Sequence, residues 1–175
     1  MTSLADLLTS DEAMKQGFVF WNGKKVYPWF NQTFTRPITV ELEILTFDQN
    51  IATQYLSFRR GQAQSFYKEK EEPSFQLEAH QRNIGEIFQV DLLPSKKPKS
   101  KKLPWFLLVN SWYSNELVGS FNSGDTEHYL TGNAGVLIKQ TQNKLEWVVQ
   151  CNSDLHPTEH APSFEDLVFR VKMNE

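Results

Sequence analysis

The residues best suited to chemistry are five lysines that fall within seven positions, in the segment SKKPKSKKLPW that ends at Trp105. Ammonium groups this close together cannot neutralise one another and attract a polyanion. Trp105 offers a face on which a base can stack if the ring stays partly exposed. Arg59 and Arg60, beside Gly61 at a predicted turn, extend the patch if that turn lies at the same end of the sheet. The predicted anion-binding residues are therefore Lys96, Lys97, Lys99, Lys101, Lys102, Arg59 and Arg60.

Charge is unevenly distributed along the chain. The whole chain carries a formal charge of −3, so the residues outside this segment carry −8 once its five lysines are set aside. A basic spot on an acidic body indicates a local contact with an anion, not a wholly basic nucleic-acid binder. The ordinary alternative is a solvated loop whose lysines keep a hairpin tip soluble and block edge pairing.

A second set of reactive side chains lies near the C-terminus, where Cys151, His156 and His160 are residue types that bind zinc. The two histidines would share a helical face only if Pro157 occupied the first turn, and no second cysteine is present. Cys151 with His156 or His128 lacks a nucleophile elbow or an oxyanion glycine pattern. We therefore predict no catalytic residue, no metal ligand and no cofactor; a small hydrolase or metal site around Cys151 and His156 is the third hypothesis.

The N-terminal part of the chain is rich in aromatic residues, with seven rings in the seventeen residues from Phe18 to Phe34. This is more than one hairpin can bury on a single face. The rings either build the core or present an interface to another protein, where Trp, Tyr and Phe act as anchors. The predicted interface residues are Trp21, Tyr27, Trp29 and Phe30.

Short strands must position these groups. Asn22-Gly23 between two apolar segments predicts a hairpin with a type I′ turn, because that pair accepts positive φ at both central positions. The first seventeen residues carry helix signals, with Ser10 as an N-cap and Gly17 as a stop. Strict alternation of apolar and polar residues at positions 38–44 indicates a half-buried antiparallel strand.

Further strands follow along the chain. Residues 38–68 are interpreted as a meander in which Gly61-Gln62 makes a turn between the second and third strands. The unbroken apolar run from Trp105 to Val109 predicts a strand at the centre of its sheet. The fold class that follows is all-β, an antiparallel β-sandwich or a partly closed barrel of about ten short strands with a short N-terminal helical segment. We expect one domain over residues 1–175.

Compartment and partners follow from what the sequence lacks. A single cysteine cannot form an internal disulfide, and no signal peptide or membrane-spanning apolar run is evident, so a cytoplasmic location without membrane contact is expected. Size, an N-terminal helix and a strand-rich body are compatible with the calycin-like barrels that bind lipids or tetrapyrroles.

The function predicted from the sequence is non-catalytic binding. The protein is expected to be an accessory subunit that docks on other protein chains through the aromatic N-terminal hairpin. Its lysine-rich segment is expected to contact an anionic partner, RNA or DNA within a larger assembly. The alternative is a calycin-like β-barrel that binds a hydrophobic small molecule, and this reading requires an apolar cavity inside a closed sheet.

Overall fold

The structure is a computed structural model that describes residues 4–8, 10–48, 54–79, 81–114, 126–128, 135–152 and 164–175. Within these ranges the chain is mostly β-strand, with two short helices near the N-terminus and one turn of 3-10 helix at Gln81–Asn83, which confirms the predicted all-β class. No helix in them has the length and apolar character needed to cross a membrane. The elements are α1 (Leu4–Leu8), α2 (Asp11–Gln16), β1 (Val19–Trp21), β2 (Lys24–Val26), β3 (Phe30–Thr33), β4 (Ile38–Phe47), β5 (Gln54–Gly61), β6 (Ala63–Tyr67), β7 (Lys70–Glu71), β8 (Ser74–Ala79), β9 (Ile87–Pro94), β10 (Trp105–Ser114), β11 (Thr126–His128), β12 (Gly135–Gln140), β13 (Glu146–Asn152) and β14 (Leu167–Asn174).

Two antiparallel sheets form a sandwich. The large sheet has the strand order β12-β13-β14-β4-β9-β6-β7. The small sheet has the order β11-β10-β5-β8, and β3 also pairs with β10. Strands β1 and β2 form a separate hairpin.

The core lies between the inner faces of these two sheets. The predicted alternation in β4 is confirmed, because Ile38, Val40, Leu42 and Ile44 are all buried. The small sheet contributes fully buried phenylalanines, and the ring of Phe30 lies 5.4 Å from that of Trp147 in the large sheet. The inner faces therefore meet directly through large side chains, which fill the space between the sheets. Among the described phenylalanines, the fully buried ones are Phe30, Phe58 and Phe106 in the small sheet and Phe169 in the large sheet.

Strand β10 is central in the small sheet, as the apolar run predicted. Its residues 105–112 pair with β5 on one side. On the other side, residues 105–108 pair with β3 and residues 112–114 pair with β11. The lysine-rich segment thus leads directly into the most extensively paired strand of its sheet.

The predicted meander over residues 38–68 is wrong. Strand β4 lies in the large sheet between β14 and β9, whereas β5 lies in the small sheet. Strand β6 does not fold back on β5: the single residue Gln62 separates them, β5 pairs with β8 and β10, and β6 pairs with β7 and β9. Gly61-Gln62 is therefore a bend that passes the chain from one sheet to the other. Alternation identifies a strand, but the partner of that strand is a non-local choice.

The N-terminal elements follow their local signals. Ser10 accepts a hydrogen bond from the Ala13 amide at 3.2 Å and caps α2, and Gly17 ends that helix with φ of 81°. Asn22 and Gly23 have φ of 49° and 78°, as a type I′ turn requires. A second, smaller apolar cluster joins the helices to this hairpin and to the C-terminal part of the chain; its buried members are Leu4, Leu8, Ala13, Val19, Val26 and Phe164.

Candidate functional site

The lysine loop (residues 95–104) connects β9 to β10, and all five of its lysines are exposed. The ion pairs formed among the described residues involve Arg36, Arg60 and Arg170 and none of these lysines. Like charges that are not neutralised within the described surface keep a positive potential over the loop. The loop can therefore attract a polyanion.

Gln62 holds the lysine loop against the sheet. Its main-chain carbonyl oxygen accepts a hydrogen bond from the Ser95 amide at 2.9 Å. Its side chain makes two more bonds, since Oε1 accepts from the Lys99 amide at 2.9 Å and Nε2 donates to Ser100 Oγ at 2.9 Å. Ser100 Oγ in turn accepts from the Lys102 amide at 3.2 Å. One residue at the β5–β6 bend thus holds the start and the middle of the loop, and the lysines project from a defined backbone.

The two neighbouring arginines have different roles. Because the loop is bonded to Gln62, the Gly61-Gln62 bend lies at the same end of the sheet as the lysines, which is the condition for the arginines to extend the patch. Arg59 is exposed. Arg60 projects from the opposite face, is mostly buried, and binds Glu71 Oε1 through a guanidinium nitrogen at 3.2 Å and Ser65 Oγ through Nε at 3.2 Å. The structure therefore leaves Arg59 exposed, whereas the guanidinium of Arg60 is engaged by Glu71 and Ser65.

Trp105 lies at the point where the lysine loop meets the sheet. It is paired with Gly61 in β5, and its ring atoms Cε2, Cζ2 and Nε1 lie 2.4 to 2.5 Å from where a Cβ on Gly61 would stand. The indole therefore covers Gly61 and occupies the space that any larger residue would fill. The ring is only partly buried, which meets the condition for a stacking surface next to basic side chains.

The predicted aromatic interface is only partly at the surface. Phe30 is 0% exposed and packs in the core against Phe106 and Trp147, so its prediction as an interface residue is wrong. The sequence could not separate it from its exposed neighbour Trp29, because seven closely spaced rings give no clear period. Trp21 and Tyr27 are partly buried and pack against the two apolar clusters.

A groove lies between α2 and the chain that leads into β3. Its volume is about 650 Å³, and Met14 on its rim is 78% exposed. Two of the predicted interface residues, Tyr27 and Trp29, line it. Its walls combine apolar side chains with two amides and are formed by Leu8, Ala13, Met14, Gln16, Gly17, Tyr27, Pro28, Trp29 and Asn31.

The thiol of Cys151 is not suited to nucleophilic attack. Cys151 is fully buried in the core and pairs with Val136 and Leu167 in the large sheet. Burial raises the pKa of the thiol well above its usual range, and the carboxylate of Asp166 raises it further. A neutral, inaccessible thiol behaves as a small apolar side chain.

The histidines predicted near this thiol lie largely outside the described residues. His156 and His160 are both outside them, and of His128 the structure gives the backbone position in β11. Among the described residues no group of three or more His, Cys, Asp or Glu side chains is arranged to hold a metal ion. Because His156 lies outside the described residues, the distance between its side chain and Cys151 is not tested, and the hypothesis of a hydrolase or metal site there stays a prediction.

Comparisons of this chain with known protein families, with curated proteins and with solved structures each found no match.

Sequence reasoning missed Gln62 and Gly61 as parts of the site. Both residues fell in a segment interpreted as an ordinary hairpin turn, and nothing in the local pattern links Gln62 to residues more than thirty positions later. Their one sequence signal is proximity to Arg59 and Arg60. The contact between the bend and the loop comes from the pairing of β6 with β9, a choice made by the whole fold.

Proposed function

We propose that this protein is a non-catalytic accessory protein that binds nucleic acid through its lysine loop. The observation that supports this function is a set of five exposed lysines on a loop that is hydrogen-bonded to Gln62 at the β5–β6 bend, without a carboxylate partner among the described residues. Arg59 adds a sixth cation at the same end of the small sheet. A polyphosphate backbone is the ligand that engages several closely spaced ammonium groups at once.

The outer face of the large sheet offers a contrast within the same protein. There, acidic side chains are interspersed with basic ones, and Arg170 binds both Glu43 and Glu146. Thr39 donates to Asp91 at 2.7 Å on the same face. Charges paired in this way give an ordinary solvated surface. The proposed site differs because its charges are all positive and lie close together on one loop.

The test is a salt titration of nucleic-acid binding. Each phosphate contact with a single strand contributes about 0.7 to the slope of log affinity against log salt, so replacing all five lysines by glutamine lowers that slope by up to about 3.5. The matched control replaces five exposed lysines elsewhere by glutamine and brings the protein to the same net charge; these are Lys15, Lys24, Lys70, Lys139 and Lys144. No binding by the native protein at low salt, or equal slopes for the two variants, would refute the proposal.

A second candidate function is the binding of an apolar group in the groove between α2 and the chain that leads into β3. The observation that favours it is Met14, which is 78% exposed beside Trp29, an arrangement typical of interface anchors. The occupant proposed is an apolar side chain of a protein partner, with a hydrophobic small molecule as the alternative.

A fluorescent hydrophobic dye tests whether the groove takes an apolar group. Met14→Asp is expected to reduce dye binding, whereas Ile87→Asp leaves it unchanged, because Ile87 is 50% exposed but lies outside the groove. Equal dye binding by both variants would remove this candidate.

A further inference from the structure

The outer face of the small sheet continues the basic surface of the lysine loop. At the loop end of this sheet, Thr33, Trp105 and Gly61 lie side by side in β3, β10 and β5. The next outward-facing row is Asn31, Leu107 and Arg59. These side chains point away from the core because residues alternate along a strand, and the adjacent residues Phe58 and Phe106 are buried on the inner face.

This part of the face is accessible and chemically mixed. Asn31, Thr33 and Arg59 are exposed, while Trp105 and Leu107 are partly buried. Three atoms of the Trp105 indole lie over Gly61, so the ring packs on the sheet surface while part of it stays exposed. The surface thus presents a flat aromatic ring, two hydrogen-bonding side chains and a cation at adjacent positions.

The spacing of these groups suits a nucleotide. Arg59 and Trp105 are diagonal neighbours on the same face of an antiparallel pair, where the separation is about 7 to 8 Å. A base stacked on the indole places its phosphates between the guanidinium of Arg59 and the lysines that precede Trp105. Asn31 and Thr33 lie on the other side of the ring, where their side chains can bond the edge of that base.

We infer that the outer face formed by β3, β10 and β5 binds a single strand of nucleic acid, with one unpaired base stacked on Trp105 and its phosphates held by Arg59 and the lysine loop. A duplex does not fit this chemistry, because its base faces are stacked internally. The surface also consists of strands and a loop and presents no helix for the major groove. The inference rests on the proposed function and specifies its ligand.

Fluorescence anisotropy with a short single strand, in RNA and DNA forms, and with a duplex of the same length tests the inference. Tighter binding of both single strands than of the duplex is expected, and preference between RNA and DNA shows whether the 2′-hydroxyl is read. Trp105→Ala should weaken single-strand binding roughly fivefold to 100-fold with an unchanged salt slope, since a stacking contact carries no charge. Trp105→Phe should retain most of the affinity because it keeps a ring.

A second readout covers the case in which Trp105→Ala fails to fold. Saturating single strand should quench the intrinsic fluorescence of the native protein, and the Trp105→Phe variant should lose most of that quenching while it still binds.

The two proposals fail in different ways. Undiminished single-strand affinity of Trp105→Ala, undiminished quenching in Trp105→Phe, or equal affinity for the duplex overturns this inference, and the lysine loop then keeps its proposed function if the five-lysine variant still loses salt dependence. Absence of any binding by the native protein overturns both.

Discussion

Replacing Gln62 by alanine separates the number of charges on the lysine loop from the order of its backbone. The substitution removes the two side-chain hydrogen bonds, to the Lys99 amide and to Ser100 Oγ, and leaves all five lysines in place. The main-chain bond from the Ser95 amide to the Gln62 carbonyl is unaffected by the change of side chain. The middle of the loop is released while its start stays attached.

The expected size of the effect follows from these bonds. A hydrogen bond contributes about 0.5 to 1.5 kcal/mol net, and the lower end applies because both bonds lie at the surface. The free energy of unfolding should therefore fall by about 1 kcal/mol. Binding should weaken by about fivefold if the loop must be reordered to hold phosphates, and the salt slope should stay at its native value because no charge is removed.

Hydrogen exchange and anisotropy measure the two consequences together. The amide of Lys99 should exchange faster in Gln62→Ala, whereas the amide of Ser95 keeps its protection. Gln64→Ala, at an exposed position of β6 two residues further along the chain, is the matched control and should change neither quantity. Native exchange at Lys99, or a lower salt slope in the variant, would show that Gln62 does not order the loop in the manner described.

The remaining predictions concern the sheet and the core. Gly61→Ala should destabilise the fold by about 1 to 3 kcal/mol in chemical denaturation and alter the fluorescence of Trp105, because the added methyl group overlaps the indole; native stability would refute the close packing. Phe30→Ala should lower the free energy of unfolding by about 3 to 5 kcal/mol, and the partly exposed Trp29→Ala by much less, so equal losses would contradict the assignment of Phe30 to the core. Cys151 should react with a thiol reagent only on unfolding. Its folded pKa is raised, so the contribution of Cys151 to stability should be complete below the unfolded pKa of about 8.5 and be lost as the pH rises above that value; Cys151→Ala should remove this loss in denaturation curves measured across that range.

Local signals explain the parts of the fold that were predicted correctly. The type I′ turn at Asn22-Gly23 depends on the φ preferences of two residues, and the cap at Ser10 depends on one side chain and an amide three positions away. The inward face of β4 follows from strict alternation over residues 38–44. Each of these features is determined within a few residues, so the sequence displays it directly.

The incorrect predictions share a non-local cause. Whether β5 pairs with β4 or with β10 is decided by which inner faces complete the core, and this choice has no local signature. Phe30 is buried because β3 lies across from Trp147 in the other sheet, although its neighbour Trp29 is of the same chemical type. A related non-local contact pairs Arg60 in β5 with Glu71 in β7, eleven positions later and in the other sheet. A count of cations in the sequence therefore overestimates the free charge at this site.

The bend at Gly61-Gln62 links the two components of the proposed site. Gly61 has no side chain, and this allows the indole of Trp105 to lie over the sheet, while Gln62 directs its side chain to the loop that carries the lysines. A displacement of the bend would therefore move the aromatic ring and the cations together. Because β5 and β6 belong to different sheets, the position of the bend is fixed by the pairing of both sheets. The lysines supply the charge, and the fold of the whole sandwich determines where that charge stands relative to the ring on which a base would stack.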